Sequence, residues 1–307
     1  MGLAMTKDNM TFKGIELENE PMSRHTSWRV GGVADYFYSP ADINDLSSYL
    51  KHLDKNENVF WLGLGSNVLV TDAGIRGTVI CTSGVLNEIK CIDDTRIYVE
   101  AGVPSPKLAK FSAKLGLTGA EFLSGIPGTV GGALKMNAGA MGGETWDIVE
   151  SVETIDTQGE MHKRTPEEFT VAYRSVEAKE KKSQQEWFVS AVIKLSKGDK
   201  ELSLQTIKNH LNRRSNTQPT QQPNAGSVFR NPEGDYAARL IEGCGLKGFC
   251  IGGACVSEKH ANFIINAATA TANDIAVLIE TIHDRVLEQY SVDLVREVQI
   301  IGEPDGK

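Results

Sequence analysis

Long apolar runs are missing from this sequence. No stretch of about 18 consecutive apolar residues occurs, so nothing in it reads as a membrane-spanning helix. Residues 1–20 are polar around Met1 and Met5 and have no hydrophobic core of the secretory kind, so they read as an N-terminal extension. Cysteine is scarce: Cys81, Cys91, Cys244, Cys250 and Cys255 are odd in number, irregular in spacing and contain no C-x-x-C. That fits reduced thiols in a cytosolic protein better than a disulfide framework. Basic charge is also in deficit, with 32 Lys+Arg against 40 Asp+Glu and a net charge of -8. Bulk attraction to nucleic acid or to an anionic membrane is therefore not expected. Any phosphate must be held by local arginines, lysines and main-chain N–H groups. The histidines are scattered without a His-x-x-x-His pair, so no metal site is expected.

Several familiar signatures are absent too. No Gly-Lys-Ser/Thr occurs, which removes the Walker loop, and no G-x-S-x-G occurs, which removes the nucleophile elbow. Gly63-Leu64-Gly65 is followed by Ser66-Asn67 and the apolar Val68-Leu69-Val70. A dinucleotide fingerprint would open a helix there, so a Rossmann unit is excluded. Taken alone, residues 59–70 read as strand, glycine turn and strand, a plain hairpin.

What the chain has instead is one glycine-dense stretch, residues 120–143, AEFLSGIPGTVGGALKMNAGAMGG. Glycine is entropically costly to order, so this density needs a reason. A flexible linker would be polar. Here Ile126, Val130, Ala133, Leu134 and Met136 are interleaved with the glycines. The stretch reads as an ordered loop that brings main-chain N–H groups to an anion.

A 307-residue chain implies two or three domains. Ser39 and Pro40 read as the N-cap and first residue of a helix with Ile43, Leu46, Leu50 and Leu53 on one face. Strands are expected at 77–82, 96–101, 148–155 and 187–195, with a helix opening at Ser105-Pro106 and stopped by Gly116. Residues 178–186 read as an exposed charged loop, and 203–214 as a helix. The polar run 215–223, with Pro219 and Pro223, marks a boundary. Beyond it lie a helix with Asp235 as N-cap and Gly245 as stop, a strand at 263–265, a helix from the capping box Thr271-x-x-Asp274, and a strand at 298–301. The resulting division is 1–20, 21–84, 85–214 and 215–307.

Ser227, in Ala225-Gly226-Ser227-Val228-Phe229-Arg230-Asn231-Pro232, reads by itself as a loop or cap serine. Arg174 by itself reads as a surface arginine and Glu297 as an edge-strand carboxylate. The combination is more specific. The motifs run in order: Thr26-x-x-x-Val30-Gly31-Gly32, residues 63–67, residues 124–132, Asn137-Ala138-Gly139-Ala140, Tyr173-Arg174, residues 225–232, residues 259–263 and Arg296-Glu297-Val298. Over about residues 21 to 303 the sequence resembles the UDP-N-acetylenolpyruvoylglucosamine reductases, and the smaller variant of that family. The larger variant carries a tyrosine-bearing loop where residues 196–203 are short here and contain no tyrosine. One departure concerns Tyr173-Arg174, which in the family is followed by any residue and then Ser. Here Ser175 comes one place early and Val176 takes the expected position.

The resemblance implies an α+β protein with a two-subdomain FAD-binding oxidase-type (PCMH-like) fold and a C-terminal α+β substrate domain. It implies non-covalent FAD, NADPH as co-substrate, a nucleotide-sugar substrate, and a cytoplasmic monomer. By the resemblance, Gly63, Gly65, Ser66, Asn67, Gly125, Ile126, Pro127, Gly128, Thr129, Gly131, Gly132, Asn137, Gly139 and Ala140 surround the FAD. Ser227 is the implied proton donor, with Arg174 and Glu297 beside it, and Arg230 and Asn231 are implied substrate contacts. Lys259, His260 and Asn262 stay open between substrate contact and ordinary surface. Two rivals remain at this point: another flavin oxidase of the same fold, acting on sugars or lactones, and a non-catalytic nucleotide-binding module. Many of those oxidases tether FAD through a histidine in the first glycine turn, and residues 63–67 contain none. Denaturation should therefore release free FAD and leave the polypeptide at its unmodified mass by mass spectrometry; a flavin adduct would favour the oxidase.

Overall fold

The computed structural model describes residues 12–180 and 185–304, so most of the N-terminal extension and part of the 178–186 loop lie outside the described residues. The first subdomain contains β1 (Ile15–Pro21), β2 (Val33–Ser39), α1 (Ile43–His52), β3 (Val59–Leu62), β4 (Val68–Val70) and β5 (Ile75–Cys81). Four of its strands form one sheet in the order β1-β2-β5-β3, with β1 antiparallel and the other pairs parallel. Residues 15–20 thus belong to this sheet rather than to an extension; Glu16, Glu18 and Glu20 disguised an edge strand.

Helix α1 begins later than Ser39-Pro40 suggested. Its N-cap is Asp42, which accepts the Asp45 N–H at 2.8 Å. The reason is tertiary: the buried Asp45 carboxylate accepts from Tyr38 Oη at 2.6 Å and from Ala41 N at 2.9 Å, holding residues 40–41 in a turn. The hairpin reading of residues 59–70 is also overturned. β3 pairs with β5, whereas β4 crosses to the far end of the chain.

The second subdomain contains β6 (Ile89–Cys91), β7 (Arg96–Glu100), α2 (Ser105–Lys114), β8 (Leu117–Thr118), α3 (Val130–Lys135), β9 (Gly139–Ala140), β10 (Gly143–Glu144), β11 (Val149–Asp156), β12 (Met161–Arg164), β13 (Phe169–Ala172), β14 (Ser175–Ala178), β15 (Glu186–Lys194), β16 (Ser196–Lys197) and α4 (Lys200–Thr217). An antiparallel sheet in the order β12-β11-β15-β7-β6 carries its core. Ile97, Val99, Ala191 and Ile193 pack there against Leu108 and Ala109 of α2, Leu134 of α3 and Ile207 of α4. The two subdomains share a seam in which Leu46, Leu50 and Ile80 meet Ile155 and Val189, and the Trp61 and Trp187 rings stack with centroids 5.0 Å apart.

Helix α4 is longer than expected, because Asp199 caps it and it runs through the proposed 214/215 boundary. Beyond it come α5 (Ala237–Gly243), β17 (Cys250–Ile251), β18 (Ala254–Val256), β19 (Ile264–Asn266), α6 (Ala272–Tyr290) and β20 (Gln299–Ile301). Asp235 does not cap α5: the Ala237 N–H is taken by Asn231 Oδ1 at 3.1 Å, while Asp235 accepts from Tyr236 N and pairs with Arg239. α6 has the expected Thr271–Asp274 capping box. The expectation of five reduced thiols is wrong. Cys250 and Cys255 are disulfide-bonded, and Cys81, Cys91 and Cys244 are free. The physical reason is register: the β17–β18 turn sets Cys250 directly opposite Cys255, with Cα atoms 4.1 Å apart, which spacing along the sequence does not reveal.

The C-terminal domain is fastened to the first subdomain at three points. β20 pairs in parallel with β4, Gln299 opposite Val68 and Ile301 opposite Val70. Both Asp72 carboxylate oxygens accept N–H groups at the start of α6, from Ala272 at 3.0 Å and Asn273 at 2.9 Å. Trp28, fully buried, inserts into the C-terminal core and donates its indole N–H to Ile264 O at 2.7 Å. Truncating such a ring leaves a cavity and an unpaired carbonyl. Trp28→Ala should cost about 3–5 kcal/mol of unfolding free energy in denaturant titrations; a loss below about 1 kcal/mol, the range of ordinary surface changes, would show that the residue does not join the domains.

Candidate active site

A short main-chain ladder brings distant parts of the chain together. Asn262 holds the segment after Ser227 by accepting from Phe229 N at 3.0 Å and donating to Phe229 O at 2.8 Å. Glu297 N donates to Val228 O at 2.8 Å. The Asn67 side chain donates to Glu297 O at 3.2 Å, and Gln299 N donates to Asn67 O at 3.0 Å. Ser227, Glu297 and the first glycine turn are thereby fixed beside one another.

Arg174 enters from the second subdomain. Tyr173 and Arg174 form the two-residue turn between β13 and β14, with Ala172 opposite Ser175. Arg174 has φ +56°, a left-handed conformation that costs about 1–3 kcal/mol for a residue with a Cβ. Its Nε donates to Glu297 Oε1 at 2.9 Å and its Nη2 to Gly139 O at 3.3 Å. Arg230 secures the turn from behind by donating to Arg174 O at 3.3 Å. The displaced family serine has a structural counterpart: Val176 is buried in the second core, and Ser175 opens β14. Both members of the Arg174–Glu297 pair are largely shielded, with side chains 17% and 15% exposed. Burial pushes the Glu297 pKa above its ordinary value, and the nearby Arg174 and Arg230 charges offset only part of that push.

Ser227, Arg174 and Glu297 line one cavity of about 850 Å³, together with Gly125, Ile126, Pro127, Gly128, Gly139 and Ala140. A neighbouring cavity of about 360 Å³ is lined by Trp61, Gly63, Gly65, Thr129 and Gly131. The two share Ser66, Asn67, Gly132 and Met136. Three expected site residues line neither of these two cavities. Asn137 is buried at φ +40°, donating to Glu144 Oε2 at 2.7 Å and accepting from Trp146 N at 3.1 Å; it braces the loop from behind. Arg230 supports Arg174, Asn231 holds α5, and neither lines either cavity. Arg213, Arg214 and Met136 line the main cavity and were not foreseen. The two arginines stand at the end of the helix expected over 203–214. His260 also lines it, its pKa lowered by burial and by the Lys247 charge.

The glycine-dense stretch is ordered, but most of its main-chain donors are occupied. Val130 N donates to Val103 O at 2.8 Å and Gly131 N to Ala101 O at 2.9 Å; Ile126 N and Gly128 N are bonded within the loop. Gly131 is needed for close approach, since a Cβ there would lie 2.9 Å from Ala101 Cβ. The first turn differs. Among the described residues, none of the main-chain N–H groups of residues 63–67 donates to another protein group. Gly65, at φ +59°, keeps this turn tight, because a Cβ would stand 2.1 Å from His25 O. A row of free N–H groups where two cavities join fits the diphosphate of a dinucleotide such as FAD.

Two α+β subdomains with such a turn between them, and a third domain closing a cavity over it, define a flavin-dependent oxidoreductase. The comparisons agree. Residues 34–165 match the FAD binding domain model, and residues 218–301 match the model of the UDP-N-acetylenolpyruvoylglucosamine reductase C-terminal domain. A UDP-N-acetylenolpyruvoylglucosamine reductase of Legionella pneumophila (strain Corby) is 56% identical over 292 residues, covering 95% of this chain and 94% of the relative. One of Methylococcus capsulatus is 55% identical over 291 residues, covering 95% and 94%. The crystal structure of the Thermus caldophilus enzyme superposes with a TM-score of 0.78 at 33% identity, over 94% of this chain and 98% of that one. The chain belongs to the UDP-N-acetylenolpyruvoylglucosamine reductase family.

The raised Glu297 pKa has a stability consequence with a definite sign. An acid whose folded pKa lies above its unfolded value contributes stability that is fully present below the unfolded pKa and is lost as pH rises through the folded one. The unfolding free energy of wild type relative to Glu297→Gln should therefore fall as pH rises out of the ordinary carboxylate range. Denaturant titrations across that window measure it; a difference that rises with pH would show the ion pair outweighing burial.

Proposed function

We propose that this chain reduces UDP-N-acetylenolpyruvoylglucosamine to UDP-N-acetylmuramate with NADPH, a step of peptidoglycan precursor synthesis. The observation that carries the reading is the convergence of Ser227, Arg174 and Glu297 on one cavity beside the free N–H groups of residues 63–67. Residues 63–67 would hold the FAD diphosphate. When bound, FAD supplies the hydride chemistry, taking a hydride from NADPH and passing it to the enolpyruvyl β-carbon.

The side chains serve what happens next on the substrate. Negative charge builds at the α-carbon and spreads into the adjoining carboxylate. Arg174, a permanent cation fixed by its turn, by Glu297 and by Gly139 O, holds that carboxylate. Its donors are in place before charge develops, which is where preorganised electrostatics contributes most. Glu297, with its pKa raised, takes a proton more readily than an ordinary carboxylate. In that form it does not repel the substrate anion and can donate a hydrogen bond to it. Ser227 Oγ delivers the proton to the α-carbon, whose carbanion character makes it basic enough to accept from a hydroxyl. Arg230 supports Arg174 through its carbonyl, and Asn231 holds the start of α5.

The protein works as a monomer in the cytoplasm on this reading; one chain supplies every group named, and NADPH and nucleotide sugars are cytoplasmic metabolites. Ser227→Ala should keep its flavin and still be bleached by NADPH, yet lose about 10²–10⁴-fold in turnover, or roughly 3–5 kcal/mol of barrier. Turnover near wild type would remove Ser227 from the role of proton donor.

A further inference from the structure

The main cavity opens into a polar one of about 330 Å³ that the chemistry above does not use; the two share Ser66, Pro127, Arg214 and Gly226. Two guanidinium groups, Arg29 and Arg214, line it, together with Thr26, Ser27 and Thr220, and no carboxylate does. Arg214 stands on the last turn of α4, half buried. Its Nε donates to Gln218 Oε1 at 3.2 Å, and no acidic group pairs with it among the described residues. Burial pushes its pKa down, as it does for a cation without a counter-charge. Arg29 comes from the other side, in a turn closed by its own N–H on Thr26 O at 3.0 Å, with φ +60°. Its guanidinium has no hydrogen-bond or ion-pair partner among the described residues. Among the described residues no carboxylate forms an ion pair with either arginine. Arg29 is exposed and Arg214 half buried, so together they present two unpaired guanidinium groups to an anion that enters this cavity.

We infer that Arg29 and Arg214 form a phosphate anchor for a nucleotide ligand at the mouth of the main cavity. The inference rests on the functional reading above and names a subsite of it. A planar guanidinium binds two phosphate oxygens at once, so a pair of them suits a diphosphate or a phosphomonoester. Two sources share that chemistry: the diphosphate of the UDP-sugar and the 2′-phosphate of NADPH. On the reading above the FAD diphosphate lies on the N–H groups of residues 63–67, of which Ser66 also borders this cavity. Neither arginine touches the Ser227–Arg174–Glu297 group through any hydrogen bond, so both can be replaced without dismantling it.

The test uses the FAD-loaded protein as wild type, Arg29→Gln and Arg214→Gln, titrated calorimetrically with UDP and with adenosine 2′-monophosphate. Both variants should keep their flavin content and melting temperature, and should bind one of the two probes about tenfold more weakly or worse. Weakened UDP binding assigns the anchor to the sugar nucleotide; weakened 2′-phosphate binding assigns it to the reductant. Affinities for both probes within about twofold of wild type would overturn the inference. Loss of flavin from both variants would overturn it too, by placing the cofactor's own diphosphate there. Wild-type turnover of UDP-N-acetylenolpyruvoylglucosamine separates the two failures: with turnover present and probe binding unchanged, the anchor alone falls; without turnover, the functional reading falls.

Discussion

The parallel pairing of β4 with β20 is the constraint on which the rest of the site depends. Three residues at the end of the chain, Gln299–Ile301, add to the three that follow the first glycine turn. This fixes Glu297 on Asn67, and Glu297 N on Val228 O, so the residue after Ser227 is held by the same ladder. Strand pairing of this kind transmits position through main-chain hydrogen bonds, which vary little in length. Parallel pairing also requires a long crossover, here most of the protein, and closing it costs chain entropy. Trp28 and the Asp72 cap on α6 offset that cost by joining the same two domains with apolar burial and paired N–H groups.

Once the C-terminal domain is fixed on the first subdomain, the second subdomain has one task at the site: to present Arg174 and the glycine loops. It does so with a strained two-residue turn, a local cost borne where precise placement of a guanidinium matters. Arg230 reaches across from the C-terminal domain to hold that turn by its carbonyl. The ion pair with Glu297 is correspondingly poised. Burial works against the carboxylate charge while Arg174 works for it, and the balance leaves the carboxyl easier to protonate than an exposed one. An anion arriving beside Arg174 meets a partner whose own negative charge is only weakly favoured.

Much of this was legible in the sequence. The apolar runs at 59–62, 96–101 and 187–195 are strands, and the Thr271 box opens α6 as its residues dictate. Ser227, Arg174 and Glu297 do converge, and the two glycine turns do meet, with Gly63 against Thr129. What stayed hidden is information that lies between segments. A three-residue run such as Val68-Leu69-Val70 carries no mark of its partner, so it read as a hairpin with β3 and its pairing with β20 went unseen. The start of α1 was moved by Asp45, a buried acid whose ligands are set by tertiary contact. Glycine density at 120–143 was read as an ordered loop offering main-chain N–H groups to an anion; the loop is ordered, but Val130 N and Gly131 N are spent on Val103 O and Ala101 O. Asn231 and Asn137 were expected at the site from the resemblance alone; their side chains accept main-chain N–H groups of Ala237 and Trp146, which the sequence does not reveal. Cys250 and Cys255 needed a register before they could be paired.

The central claim is that this assembly holds FAD where Ser227, Arg174 and Glu297 can serve the reduction of an enolpyruvyl ether. The visible absorbance of the purified protein, followed without oxygen through both halves of the reaction, tests it most directly. The account requires a yellow protein whose flavin band bleaches with NADPH and returns when UDP-N-acetylenolpyruvoylglucosamine is added. A protein that stays colourless after reconstitution with FAD, or one that bleaches and does not recover its colour with that substrate, would contradict it.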